Sequence, residues 1–313
     1  MKKIIIAAAV LLGGISAEAQ QIAMNSQYIV NELSINPAVA GSTPYIPVGF
    51  SFRRQWSGID QAPVTQSLWA HGYMGAGFGV GVNIYNDVAG PTRRTGIAPS
   101  LAYHLRLNDE LILSFGAGAS VTQFYMDRDK MVTEVAGDNA VMMNTNNQLV
   151  PDANAGLWLS TERLFVGVSG WHLIESKSDL FDIESTVTNT LDRTFYGMAG
   201  YKIPVGDKFD ITPSALFRFM TNAPFALDAN LIATYNDQIW LGGSFRLNDA
   251  VAAMLGVKVG SVRFGYSYDF TLSDLSNYSN GTHELFLGLD IRSNNSNRVP
   301  WKQRNRVFSS FSR

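Results

Sequence analysis

Residues 261–270, with the sequence SVRFGYSYDF, alternate between small or charged side chains and apolar or aromatic ones. Side chains of a β-strand point to opposite faces in turn, so this segment predicts a strand with one apolar and one polar face. The same alternation recurs along most of the chain, for example at 209–219, 251–259 and 284–292. A soluble sandwich could use such strands, but their recurrence behind an export signal favours an all-β transmembrane antiparallel up-and-down barrel.

The N-terminus has the features of that export signal. Lys2 and Lys3 precede an apolar stretch at 4–15, and residues 17–19 read Ala-Glu-Ala, a small-x-small cleavage site. The apolar stretch is too short to span a bilayer as a helix, which takes about 20 residues. We therefore predict that residues 1–19 are a cleavable signal peptide and that the protein is exported to the outer membrane.

The distribution of charge separates the C-terminal end from the rest of the chain. Residues 292–313 carry six basic and no acidic side chains, whereas the whole chain has a net charge of −2, so the preceding body is acidic. An acidic body argues against general nucleic-acid binding. The basic residues 293–313 form either a solvated tail or a periplasmic docking segment, whose candidate contacts are Arg298, Trp301, Lys302, Arg304 and Arg306.

About fourteen strands can be assigned from alternation and turn residues. They are expected at 47–57, 64–74, 76–87, 93–106, 109–126, 151–160, 162–174, 192–204, 208–220, 224–235, 237–247, 249–259, 261–271 and 282–292. Tight turns follow the even-numbered strands, and all the long connections, such as 127–150 and 175–191, follow odd-numbered ones. Outer-membrane barrels sort their connections in this way, which predicts a barrel at 47–292 with both termini in the periplasm.

The sequence contains no recognisable catalytic or metal-binding motif. The four histidines, His71, His104, His172 and His283, lack metal-ligand spacing, and no G-x-S-x-G motif occurs. The chain has no cysteine, which excludes disulfides and thiolate metal sites. The glycine-rich run from Gly75 continues directly into an alternating strand, which is not the context of a phosphate-binding loop. We expect neither a cofactor nor an enzymatic activity.

Charged side chains of the predicted strands occupy the face opposite the apolar one. An Arg or Lys facing the middle of the bilayer would cost about 2–4 kcal/mol, so these side chains are expected to face the lumen. They are Arg53, Arg218, Arg246, Lys258, Arg263, Asp210, Asp228, Asp269, Glu284 and Asp290. Such residues form either a salt-bridge network that fills the barrel or the selectivity lining of a pore. Their mixed signs favour the network, since a ring of one sign makes a selective pore.

Four groups of segments together resemble the PorP/SprF family of Bacteroidetes outer-membrane proteins, which is associated with type IX secretion and gliding motility. The likeness runs from about residue 20 to 292. The matching segments are Ser26-Gln27-Tyr28, Asn31 and NPAVAGS at 36–42; RRQWSGI at 53–59 and APVTQ at 62–66; GVG at 79–81 and NDVAGP at 86–91; and RFGYSYDF at 263–270 with GTHE at 281–284.

This resemblance implies a non-enzymatic barrel that helps to export or anchor a large cell-surface protein, such as a gliding adhesin. The expected partners are a secreted surface protein with a type IX C-terminal sorting domain, a periplasmic peptidoglycan-binding lipoprotein of the OmpA-like kind, and other type IX components. An outer-membrane channel for small or hydrophobic solutes is the alternative function.

Two of the family segments also have a physical interpretation. Asn36-Pro37 interrupts regular structure before the first strand, so residues 20–46 either plug the lumen or form a loose periplasmic lead-in. The candidate plug or partner residues are Gln27, Tyr28, Asn31, Asn36 and Pro37.

The second interpretation concerns the closure of the barrel. Arg53 and Gln55 belong to the first predicted strand, and Asp269 and Glu284 belong to the last two. These strands become neighbours when the barrel closes, so we expect the four side chains to bridge the seam between its ends.

Overall fold

A computed structural model describes residues 25–127, 130, 147–176, 191–221 and 223–292. The predicted signal peptide and basic tail, including Arg298, Trp301, Lys302, Arg304 and Arg306, lie outside these residues, and those predictions stay untested. Within the described part of the chain, no helix is long and apolar enough to cross a membrane.

The described residues form fifteen β-strands. Their bounds are β1 Tyr45–Arg54, β2 Val64–Gly75, β3 Phe78–Ala89, β4 Thr92–Arg106, β5 Ile112–Met126, β6 Asn147–Ser160, β7 Leu164–Trp171, β8 Thr194–Tyr201, β9 Ile203–Val205, β10 Phe209–Met220, β11 Ala223–Tyr235, β12 Ile239–Arg246, β13 Ala250–Val259, β14 Val262–Thr271 and β15 Thr282–Arg292. Four short 3₁₀ turns accompany them, at Tyr28–Val30, Glu32–Ser34, Pro37–Val39 and Asp274–Asn277.

The strands close into one antiparallel barrel. β1 pairs with β2 on one side and with β15 on the other, which joins the two ends of the sheet. β8 and β9 both pair with β10 and are separated only by Lys202, so they act as one interrupted strand of the wall. With β8 and β9 counted as one strand, the barrel has fourteen strands, which confirms the predicted fold class.

Strand alternation divides the wall into an outward and an inward face. Along β15, Leu285, Leu287 and Leu289 are exposed on the outside, whereas Glu284 and Asp290 are buried inside. An apolar outer face and a polar lumen are the pattern of a barrel whose solvent on the outside is lipid.

The connections sort onto two rims, as predicted. The turns that follow β2, β4, β6, β9, β11 and β13 are short, and we call their side the short-turn rim. The turn after β11 shows the chemistry of such a connection, since Asn236 and Asp237 both have a φ of 54°. Asn and Asp tolerate this left-handed conformation, which two-residue hairpin turns require. The opposite side, the long-loop rim, carries the connections after β1, β5, β7 and β14.

Candidate functional site

Residues 25–44, which we call the lumen segment, lie inside the barrel. The Asn25 side chain donates to Ser51 Oγ (3.1 Å) near the long-loop end of β1. Fifteen residues later, Ala40 accepts a hydrogen bond from His104 near the short-turn end of β4. The described chain therefore begins in the long-loop half of the lumen and descends to the short-turn rim before β1. Ser26 and Gln27 donate to a buried carboxylate in that half. The N-terminus predicted to be periplasmic lies outside the described residues, so that expectation stays a prediction.

Local capping explains why this segment folds into short turns. The side chain of Asn31 accepts a hydrogen bond from Ser34 N (3.3 Å), and that of Asn36 accepts one from Ala38 N (2.9 Å). Asn caps a turn in this way because its short side chain reaches backbone N–H groups two or three residues ahead. Pro37 occupies the first position of the last 3₁₀ turn, where no N–H group is needed.

Inward-facing glycines let the lumen segment approach the wall backbone closely. A Cβ built on Gly116 would lie 2.1 Å from Ala38 N, and one on Gly79 would lie 2.1 Å from Ala40 O. A Cβ on Gly156 would lie 2.1 Å from Asn36 Oδ1. No side chain fits at such distances, so these three glycines form a docking surface for residues 36–40.

Hydrogen bonds fix the centre of the lumen segment to β6 and β7. Asn36 Nδ2 donates to the carbonyl oxygens of Leu157 (2.9 Å) and Val168 (3.1 Å). The carbonyl of Ile35 accepts from Ser169 Oγ (2.6 Å) and Trp171 Nε1 (2.7 Å). These bonds satisfy the side-chain amide of Asn36 and the backbone carbonyl of Ile35, which would otherwise be costly to bury.

Two inward-facing histidines form hydrogen bonds with the end of the lumen segment that lies near the short-turn rim. His104 Nε2 donates to Ala40 O (2.8 Å), and its Nδ1 lies 2.7 Å from Ser114 Oγ. His71 Nδ1 accepts from Gly41 N (3.1 Å). The other two histidines contact residues of the wall: His172 lies 3.2 Å from Asp152 Oδ2, and His283 lies 2.7 Å from the Tyr266 hydroxyl.

A buried ion-pair cluster joins the start of the lumen segment, in the long-loop half of the lumen, to β1, β14 and β15 where the barrel closes. Arg53, only 1% exposed, places Nη2 2.8 Å from Asp269 Oδ2 and Nη1 3.1 Å from Glu284 Oε2. Ser26 Oγ donates to Asp269 Oδ2 (2.6 Å) and accepts from Arg53 Nη1 (2.8 Å). The backbone N–H groups of Ser26 and Gln27 donate to the Glu284 carboxylate at 2.7 and 3.2 Å.

The remaining predicted seam residue does not enter this cluster. Gln55 lies just beyond β1, where its backbone N–H donates to Pro63 O (2.9 Å). Its side chain is half-buried and makes no described hydrogen bond to the cluster. Strand alternation explains Arg53, but β1 ends before Gln55.

Other predicted inward charges pair with one another across neighbouring strands. Arg246 Nε lies 2.9 Å from Asp228 Oδ1. Asp290 forms ion pairs with Lys258 Nζ (2.9 Å) and Arg263 Nη2 (2.8 Å). The buried Arg218 contacts the Tyr196 side chain, and the Tyr28 hydroxyl of the lumen segment hydrogen-bonds with Asn230. The mixed signs are thus neutralised locally around the lumen.

One cavity between the lumen segment and the wall is small. A cavity of about 40 Å³ lies beside Leu33 and is lined by Tyr45, Trp69, His71 and Arg263. That volume holds a few water molecules, whereas pockets for organic ligands are about 300–1,000 Å³. Among the described residues, no group of three or more His, Asp or Glu side chains is placed to hold a metal ion. The arrangement binds a segment of its own chain.

Solved structures with a similar fold are membrane transporters and channels. The toluene transporter TbuX of Ralstonia pickettii has 10% identity and a TM-score of 0.51, with 88% of this chain and 96% of that chain covered. A deltaS2S3 mutant of TodX, a monoaromatic hydrocarbon channel, has 7% identity and a TM-score of 0.50, with 87% and 95% covered. At these identities the likeness shows the fold alone.

Among curated proteins, none matches this chain. A family model does match, over residues 17–289, and it describes the type IX secretion system membrane protein PorP/SprF. The match covers well over half of the sequence and confirms the resemblance seen in its motifs. This membrane β-barrel therefore belongs to the PorP/SprF family.

Proposed function

We propose that this protein is a non-enzymatic outer-membrane component of the type IX secretion system that helps to export or anchor a large cell-surface protein. The observation that carries the proposal is the filled lumen. Residues 25–44 occupy it, hold to the wall at three glycines, and cap the buried Arg53 cluster. A barrel filled by its own chain offers a rigid, closed support in the membrane rather than a wide pore.

The proposed partners follow from family membership and from the two rims. The cargo is a secreted protein with a type IX C-terminal sorting domain, such as a gliding adhesin, and it would bind the long-loop rim. β15 ends at Arg292 on the short-turn rim, from which the basic residues 293–313 continue. We propose that this basic tail contacts a periplasmic peptidoglycan-binding lipoprotein of the OmpA-like kind, linking the barrel to the cell wall.

A channel for small or hydrophobic solutes is the second candidate, and the packing of the lumen argues against it. Solute passage through the barrel would require the lumen segment to leave Gly79, Gly116 and Gly156. It would also require Ser26 to separate from the buried pair of Arg53 and Asp269. The cavity beside the segment, at about 40 Å³, is too small for an organic solute.

The proposal is tested by isolating the protein with its partners. The tagged full-length protein is extracted from native outer membranes in mild detergent, and co-purifying proteins are identified by mass spectrometry. A variant ending at Arg292 and an unrelated tagged barrel serve as controls. We expect the full-length protein to retain both a sorting-domain cargo and the lipoprotein, and the truncated variant to lose only the lipoprotein. Recovery of the bare barrel, while other membrane complexes stay intact, would contradict the proposal.

A further inference from the structure

The outward face of the described strands carries almost no charge. Among all its positions, the only charged side chains are Arg54 at the end of β1 and Arg93 near the start of β4. Both are exposed. A barrel wall that faces lipid excludes charge, because Arg or Lys near the bilayer midplane costs about 2–4 kcal/mol. Arg54 and Arg93 face away from the lumen, so the ion pairs inside the barrel do not explain why this face carries two charges.

The two arginines lie in one row across the sheet, at the long-loop rim. Arg54 pairs with Val64 of β2, Val64 with Val88 of β3, and Val88 with Arg93 of β4. Three strand spacings of about 4.8 Å place their Cα atoms roughly 14 Å apart. Arginine side chains are long enough to turn toward each other over such a span, so both can contact one large headgroup.

The rows beneath them locate the arginines relative to the membrane. Two residues further along each strand, away from the long-loop rim, the outward side chains of β2 to β5 are polar: Gln66, Asn86, Thr95 and Gln123. The row after that is apolar throughout, and its members are Phe50, Leu68, Ile84, Ile97 and Val121. Arg54 and Arg93 thus stand above the hydrocarbon boundary, at the level of lipid headgroups in the outer leaflet.

Aromatic side chains flank the arginine row at the same level. Tyr125 of β5 pairs with Arg93. His283 of β15 pairs with Arg54 on β1 and with Tyr268 on β14. Tyrosine is typical of the interface between membrane and water, where its ring is apolar and its hydroxyl is hydrated. These neighbours support placing the arginines at the interface.

Neither arginine has an ion-pair partner among the described residues, which distinguishes both from the inward cations. Arg53, Arg246 and Arg263 each pair with a buried carboxylate at 2.8–3.1 Å. No acidic side chain occupies an outward position of the described strands, so the wall itself offers Arg54 and Arg93 no counter-charge.

We propose that Arg54 and Arg93 form a binding site for the phosphate groups of an anionic lipid in the outer leaflet. Guanidinium groups bind phosphate oxygens bidentately. Because both arginines face outward at headgroup level, the phosphate groups nearest to them are those of membrane lipids. The site lies outside the lumen and does not depend on the export role. It would fix the rotation of the barrel relative to its surrounding lipid.

The test compares lipid binding by variants of the full-length protein in detergent. Native mass spectrometry counts bound diphosphoryl lipid A over a concentration series, with dephosphorylated lipid A as the ligand control. The variant R54Q/R93Q removes the proposed site, and R54K/R93K keeps the charge. R163Q/K208Q removes two exposed cations from the short-turn rim and is the matched control.

We expect wild type and R163Q/K208Q to bind diphosphoryl lipid A equally and R54Q/R93Q to bind about 30-fold more weakly. R54K/R93K should fall between them, since lysine keeps the charge without the bidentate geometry. Equal binding by R54Q/R93Q and wild type would overturn the proposal. Equal affinity of wild type for dephosphorylated lipid A would also overturn it, because acyl chains alone would then account for binding.

Discussion

The backbone nitrogen of Ala38 lies where a side chain at Gly116 would begin, since a Cβ on that glycine would be 2.1 Å away. Because Gly116 has no side chain, the backbone of the lumen segment at Ala38 packs directly against the backbone of β5. Gly79 and Gly156 make similar contacts with Ala40 and Asn36. Glycine at these inward positions therefore serves the docking of residues 36–40.

Replacing Gly116 by valine should dislodge the lumen segment without changing any charge. The added side chain has no space beside Ala38, and overpacking of this kind costs about 1–3 kcal/mol. Hydrogen exchange measured by mass spectrometry should show loss of protection across residues 25–44. Gly243→Val is the control, because Gly243 faces outward with its nearest neighbour atom 3.7 Å from a built Cβ. Unchanged protection in Gly116→Val would contradict the docking geometry.

Replacing Arg53 by methionine should destabilise the whole barrel. The change leaves Glu284 buried without its counter-charge and Asp269 with only the more distant Arg246 (3.9 Å), and breaking a buried pair costs about 3–5 kcal/mol. The free energy of unfolding can be measured by urea titration in phosphatidylcholine vesicles, with tryptophan fluorescence as the signal. The exposed Lys208→Met, on the short-turn rim, should change it by less than about 1 kcal/mol. Similar losses in both variants would argue against a specific role for the cluster.

Replacing Asn36 by alanine should loosen the segment at β6 and β7. The variant loses the two hydrogen bonds donated to Leu157 O and Val168 O, at a cost of about 1–3 kcal/mol in total. Local opening free energies from hydrogen exchange should fall by this amount in residues 35–40. Asn277→Ala, in an exposed 3₁₀ turn, is the control and should leave these residues as protected as in wild type.

Much of the wall could be predicted from sequence because strand alternation is a local signal. Period-two patterns place Arg53, Asp269 and Glu284 on the inward face, and closure of an up-and-down barrel makes their strands neighbours. The sorting of short turns and long loops gives the orientation of the strands in the same way. Each of these inferences needs only residues close together in the sequence.

The course of the lumen segment has no comparable local signal. Its contacts, such as Ser26 with Asp269 and Asn36 with Leu157, join residues more than a hundred positions apart. Inward His71 and His104 look like isolated histidines in the sequence, and only the fold brings Gly41 and Ala40 to them. The alternation of glycine with larger residues at Gly79 and Gly116 was the available sign that something packs closely against the inner wall.

The conductance of the purified full-length protein in planar bilayers tests the central claim most directly. Wild type is expected to insert without a steady open conductance, because residues 25–44 fill the lumen. Gly116→Val should produce openings under the same conditions, which confirms that insertion and detection work. A stable ohmic conductance in wild type, matched by Gly116→Val, would show an open lumen and would favour the solute channel over the export and anchoring role.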